Sequence, residues 1–124
     1  MILGTGIDIV EIKRFREIEN LRGIAKKILH TNELKEFNKK AKDQSVYLAK
    51  KFAFKEAFVK ALGTGFREPY YLDRVEIIKD KLGKPSVVTH GEAKEEFKNL
   101  GITKAHVSLS DTENYVVAFV VLER

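Results

Sequence analysis

The sequence predicts an α+β fold, and three observations carry that expectation. The chain opens on a run that alternates like a strand, Ile2 to Val10. The stretch from Gln44 to Leu62 is apolar almost all the way round a helix. From Leu72 onward, alternating and wholly apolar runs are separated by turn residues, the pattern of a mainly antiparallel sheet interrupted by one short helix. The 124 residues hold no repeat, low-complexity tract or linker, so a single domain spanning 1–124 is expected.

In the first strand, Leu3, Thr5, Ile7 and Ile9 point one way and Ile2, Gly4, Gly6, Asp8 and Val10 the other. Asp8 therefore shares a face with two glycines, which in a strand mark close approach by another backbone or a ligand; by residue type alone it reads more simply as a cap for the helix that follows. Short helices are expected over 11–19 and 21–29, broken near Asn20 and at Gly23. A third starts at Thr31 or Asn32 and runs to about Lys42, ending in Lys39, Lys40 and Lys42. The long helix follows, with Gly63 as its C-terminal stop. Phe52, Ala53, Val59 and Lys60 share the face of Glu56, while Tyr47, Phe54, Phe58 and Ala61 lie opposite. Burying a lone carboxylate among such residues costs on the order of several kcal/mol, so a metal ion or ligand is expected beside Glu56. A hairpin is predicted from Leu72–Ile78 and Ser86–His90 around the turn at Gly83, then a short helix over Gly91–Leu100, a strand over Ile102–Ser110 and a last strand over Tyr115–Leu122. That last strand is apolar on both faces. With the long helix making the same demand, the chain is expected to cover part of this surface by oligomerising.

Composition narrows the class. Hydrophobic residues make up 44% and charged residues 33%, a globular balance with no apolar run long enough to span a bilayer. The opening residues lack a basic segment and meet Asp8, so no secretion signal and no membrane partner are expected. There is no cysteine, which excludes disulfide and thiolate chemistry and fits a cytoplasmic location. The three histidines lack the tight spacing of a zinc motif. The net charge of +5 favours acidic partners: nucleic acid, phosphorylated small molecules or an acidic protein.

Three groups of residues could carry chemistry. Asp8 and Glu56 are a carboxylate pair that would need a cation between them if strand and helix pack; magnesium takes one or two carboxylates together with waters and phosphate oxygens. Leu62-Gly63-Thr64-Gly65 ends a helix instead of opening one, so it is neither a P-loop nor a dinucleotide fingerprint. His106, Ser108 and Ser110 share one face of a strand, either lining a cleft or facing solvent, and no serine sits in a nucleophile elbow.

Together these segments resemble the holo-[acyl-carrier-protein] synthase family of 4′-phosphopantetheinyl transferases. The resemblance is carried by Gly4-Thr5-Gly6-Ile7-Asp8-Ile9-Val10-Glu11-Ile12, by the run from Lys50 to Gly65, by Gly83-Lys84-Pro85 and by His106-Val107-Ser108-Leu109-Ser110, in that order. It implies the phosphopantetheinyl transferase fold and a reaction in which phosphopantetheine moves from coenzyme A to a serine of apo acyl carrier protein, as in fatty acid biosynthesis. It implies Mg2+ held by Asp8 and Glu56, with Asp8, Glu56 and Lys60 as catalytic residues. Coenzyme A contacts are implied for Lys42, Lys51, Lys60, Gly63, Thr64, Gly65, Lys84 and Pro85. Lys51 stands where arginine is common, keeping the charge and losing the bidentate fork. Carrier docking is implied for Arg14, with Lys13 and Arg22 alongside. A homotrimer with sites between subunits is implied, and no nucleic-acid partner.

Two positions depart from the family's pattern. His30 stands where threonine is usual, and Asp111 where a second histidine often follows the His-Val-Ser strand. The competing reading is a basic module without enzymatic activity that binds an acidic protein or nucleic acid. It leaves Glu56 unexplained, and the aromatic residues read as core, not as a stacking platform.

Overall fold

The computed structural model describes residues 1–68 and 70–124. Strand β1 (Ile2–Glu11) leads through α1 (Lys13–Arg16), α2 (Leu21–Ile28) and α3 (Thr31–Lys39) to the long helix α4 (Gln44–Leu62). A 3-10 turn at Leu72–Arg74 precedes β2 (Val75–Lys79), β3 (Pro85–Thr89), α5 (Glu92–Asn99), β4 (Lys104–Asp111) and β5 (Tyr115–Glu123). The fold is α+β with antiparallel pairing, divided into a three-stranded sheet in the order β1-β5-β4 and a separate β2-β3 hairpin.

Helix α4 is the centre of the molecule. It has the bounds expected from sequence, and Gly63 ends it at φ 77°, its N–H donating to the carbonyls of Val59 and Lys60. One side packs on the three-stranded sheet. Here the strand glycines are required: a Cβ on Gly6 would lie 2.7 Å from Ala61 N and 2.9 Å from Ala57 C, and one on Gly4 would meet the Ala61 carbonyl. Glycine on β1 facing Ala57 and Ala61 on α4 lets the two backbones touch, so the space predicted beside Asp8 is filled by a helix. From β5, Val116, Ala118, Val120 and Leu122 are all fully buried against α4, each valine or leucine there contributing roughly 1.5–3 kcal/mol. The far side of α4 buries Phe58 between Tyr70 and Phe97, with ring centroids at 6.1 and 5.8 Å, and Tyr47 against Phe37.

Several expectations need correction. The strand β1 continues to Glu11, which leaves α1 a single turn. Gly23 does not break a helix. It lies inside α2, where its N–H donates to the Asn20 side chain that caps the helix, and a Cβ on it would collide with that cap. Helix α3 stops at Lys39, so Lys42 lies in the following loop. The first hairpin strand begins at Val75, not Leu72, because the chain first makes a 3-10 turn.

Most of α4 is buried within this one chain, with Phe52 and Glu56 partly covered and Lys60 exposed, so the helix by itself makes little demand for a partner subunit. The three-stranded sheet, by contrast, keeps an open apolar face: Ile7 is 58% exposed, Ile9 63% and Phe119 43%, with Ile7 and Phe119 directly paired across the strands.

Candidate active site

Beyond Gly4 and Gly6, the next residue on the same face of β1 is Asp8. It emerges where the β1–α4 seam opens, beside Glu56 and Lys60 one helical turn apart. The Lys60 ammonium donates to Asp8 Oδ1 at 3.2 Å and to the Ile7 carbonyl at 3.0 Å, so its position is fixed by the strand. Asp8 is mostly buried, with 15% of its side chain exposed, and Lys60 is half exposed. Glu56 is half-buried, not enclosed as its greasy neighbours suggested. Burial pushes its carboxyl above the usual range, the Asp8 charge pushes it further, and Lys60 and Arg14 oppose that. Asp8 and Arg14 from the start of the chain and Glu56 and Lys60 from α4 thus form one electrostatic cluster. Two neighbouring carboxylates form a ready cation site, and the Lys60 ammonium meets part of that demand.

Two groups of charges lie elsewhere. One groove, about 490 Å3, is lined by Tyr47, Lys50, Lys51, Ile78, Pro85 and Ser108 among others, and by neither Asp8 nor Glu56. Lys84 and Pro85 also border a shallower groove with His106. Lys42 lines a third groove with Arg16. Gly63 and Gly65 both take positive φ, at 77° and 67°, with open space where a Cβ would stand. Within one chain, Asp8, Glu56 and Lys60 come together; Lys42, Lys51, Lys84 and Pro85 do not join them. Arg14 sits over a groove floored by Phe15, Ile18, Ile24, Ile28 and Phe52. Lys13 on α1 and Arg22 on α2 are exposed, Lys13 in an ion pair with Glu17 at 3.7 Å.

The comparisons with known proteins bear on this arrangement. The profile of the 4′-phosphopantetheinyl transferase superfamily matches residues 4–120. The chain belongs to this superfamily. It is 44% identical to a holo-[acyl-carrier-protein] synthase of Dechloromonas aromatica, covering 99% of this chain and 98% of the relative. Its fold superposes on the synthase structure from Neisseria meningitidis with a TM-score of 0.92, at 40% identity over the whole of both chains. The Bacillus anthracis synthase, solved in complex with coenzyme A (3′,5′-ADP), matches with a TM-score of 0.82, at 33% identity over 99% of this chain and 97% of that one. The chain is therefore an enzyme, a phosphopantetheinyl transferase of the holo-[acyl-carrier-protein] synthase kind.

Several features of this transferase were not read from its sequence. Lys55, on α4 next to Glu56, is completely buried, and its ammonium donates to Glu33 Oε1 at 2.5 Å and to the carbonyls of Ile28 and Leu72. Glu33 is buried as well and accepts the Ile77 N–H at 2.9 Å, which ties α3, α4 and the hairpin together. Lys51 is buried too, donating to the Ile77 carbonyl at 2.8 Å, and burial lowers its pKa against the pull of Glu33 and Glu36. In this chain Lys51 points inward, toward the hairpin. Asp111, at the position of the usual histidine, pairs with Lys50 at 3.6 Å. His106 has an acidic partner after all, Glu123 at 2.8 Å, although no serine is hydrogen-bonded to it among the described residues.

Proposed function

We propose that this enzyme transfers 4′-phosphopantetheine from coenzyme A to a serine of an apo acyl carrier protein, with Mg2+ at Asp8 and Glu56, releasing adenosine 3′,5′-bisphosphate. The observation that carries the reading is the seam cluster: two carboxylates and a lysine held together by the β1–α4 contact. The carboxylates fit the ion because two negative charges lie beside one paired lysine, and a cation would relieve the effect of Asp8 on Glu56. When bound, Mg2+ would supply charge neutralisation to the pyrophosphate and polarise the phosphorus under attack.

The chain's own residues do the rest. Lys60, held by the Ile7 carbonyl, presents a point charge beside Asp8 that can turn to a phosphate oxygen. Glu56, its proton affinity raised by burial and by Asp8, is suited to accept the serine proton, directly or through a water. The serine oxygen forms the new P–O bond as the pyrophosphate P–O bond breaks, and the bridging oxygen leaves with adenosine 3′,5′-bisphosphate. The groove beside Arg14 joins a cation to apolar walls, and Arg14 is near enough to Glu56 to act on its charge, which supports docking of an acidic amphipathic carrier helix there, with Lys13 and Arg22 adding basic charge and Lys13 already balancing Glu17.

Coenzyme A contacts from Lys42, Lys51, Lys84 and Pro85 are part of the proposal. Their separation from Asp8 and Glu56 within one chain supports a site completed by a second copy, and the open apolar sheet face supports a homotrimer. The proposed setting is fatty acid biosynthesis and the proposed compartment the cytoplasm, the latter supported by the cysteine-free composition.

The test incubates the protein with coenzyme A, Mg2+ and apo carrier, then weighs the carrier by mass spectrometry. A phosphopantetheine-sized gain that disappears with chelator is expected; no gain across several carriers would refute the reading.

A further inference from the structure

A second cluster of metal-ligating side chains lies away from the seam. His30, Glu76 and His90 come from three separate elements: the residue that caps α3, the middle of β2 and the residue that follows β3. One ligand atom from each lies within 4.8 Å of the other two. Glu76 Oε1 is the focus. His90 Nε2 meets it at 2.8 Å, His30 Nδ1 stands 3.5 Å from it, and Asn32 Nδ2 approaches to 3.4 Å. The Glu76 side chain is 9% exposed.

His30 Nδ1 accepts the Asn32 N–H at 3.2 Å as the cap of α3, so its lone pair is the one a metal ion would take in exchange for that cap bond. The same nitrogen stands 3.5 Å from Glu76 Oε1, which places three potential ligand atoms from three elements around one point. The two imidazole rings stack at 3.9 Å between centroids and within 9° of parallel, so both nitrogens reach the same side of the carboxylate.

We infer that His30, Glu76 and His90 form a binding site for a borderline divalent transition metal, of the Zn2+ or Co2+ class, separate from Asp8 and Glu56. Two neutral imidazoles and one carboxylate are the donor set such ions prefer, and three protein ligands leave a position for water. Mg2+ prefers all-oxygen ligands and is disfavoured here. The stacked rings must splay a little to aim both lone pairs at one ion. Binding would clamp the α2–α3 junction to the β2-β3 hairpin, because His30 stands on one and Glu76 and His90 on the other.

The experiment uses the full chain carrying Asp8→Asn and Glu56→Gln, which removes the seam carboxylates as competitors. Co2+ is added and visible d–d absorption is followed, with Zn2+ and excess Mg2+ as competitors and thermal unfolding as a second readout. One equivalent of Co2+, displaced by Zn2+ and not by Mg2+, together with a higher melting temperature, is the expected result. His90→Gln should weaken binding by more than the roughly 10–100-fold that outer-sphere changes cost. His30→Ser keeps a helix cap and should weaken it likewise, which covers the case of a misfolded His90 variant. No saturable Co2+ binding, or binding that both variants leave intact, would overturn the assignment.

Discussion

Replacing Gly6 with alanine tests whether the β1–α4 seam builds the active site as well as the core. The added methyl carbon would sit 2.9 Å from Ala57 C and 2.7 Å from Ala61 N, and closer still to the Ala57 carbonyl oxygen. Ordinary carbon contacts begin near 3.5 Å, so the helix must retreat by about 1 Å. The obstacle is backbone on both sides, with no flexible side chain to swing away. Overpacking of this kind costs about 1–3 kcal/mol, and a rigid contact belongs at the upper end. For a domain of this size, about 3 kcal/mol lowers the melting temperature by roughly 10 °C. Asp8 rides on the strand and Glu56 and Lys60 on the helix, so the same retreat separates them. A displacement near 1 Å costs about 100-fold in turnover. Gly6→Ala should therefore lower both the melting temperature and kcat/KM in the carrier assay, measured well below the transition so that folded enzyme is compared. Lys94→Ala, on the exposed face of α5, serves as the control and should change neither. An unchanged melting temperature and unchanged kcat/KM for Gly6→Ala would refute the argument that the glycine seam sets the site.

The remaining predictions concern charge. Glu56→Gln should cut turnover by about 100-fold or more, read by carrier mass spectrometry, while its fold survives. The Glu56 pKa is raised in the folded chain, so the stability tied to its proton is present in acid and lost as pH rises through that value. Without Mg2+, Glu56→Gln should thus melt no lower than the wild type at pH 7, its advantage growing as pH climbs from 4.5; a lower melting temperature there contradicts the sign. Glu33→Gln strips the buried Lys55 ammonium of its charge partner and should cost about 3–5 kcal/mol in urea unfolding. Adding Lys55→Met should recover much of that loss, and simple additivity of the two changes would show that they do not act as a pair. Arg14→Ala should raise KM for the carrier about tenfold, an effect that shrinks at high salt, and leave KM for coenzyme A nearly unchanged; an unaltered carrier KM excludes the docking role.

The parts of the fold that were legible from sequence are those governed by local rules. Helix α4 has a long apolar surface and a glycine stop, so its C-terminal end follows from nearest-neighbour chemistry. The alternation in β1 placed Gly4, Gly6 and Asp8 on one face, and that face meets the helix. Errors arose where a cap outranked a propensity. Gly23 reads as a helix breaker, yet it is the residue that admits the Asn20 cap and so starts α2. His30 reads as a misfit for threonine, yet its ring nitrogen does a threonine's work by accepting the Asn32 N–H.

Periodicity gives the direction of a Cβ and says little about where a long side chain ends, and this limit explains both the success at Glu56 and the silence about Lys55. Both residues stand on a helix that is apolar nearly all round, and the sequence drew attention to the carboxylate because burying it looked costly. The structure reverses the weight: Glu56 reaches the edge of the seam, whereas Lys55 is the fully enclosed charge. Its partner Glu33 lies 22 residues away on another helix, so no local pattern could announce the pair. The two charges have different work to do. The Glu33–Lys55 pair meets the carbonyls of Ile28 and Leu72 and the N–H of Ile77, backbone groups left over where α2, the 3-10 turn and β2 converge, and so fixes the side of α4 that faces away from the sheet. Anchored on that side by buried ions and on the other by glycine contacts, α4 has little freedom to slide or turn. An enzyme that needs Glu56 and Lys60 held beside a carboxylate on a different element benefits from such a helix, since each catalytic side chain then loses little further freedom when substrate arrives.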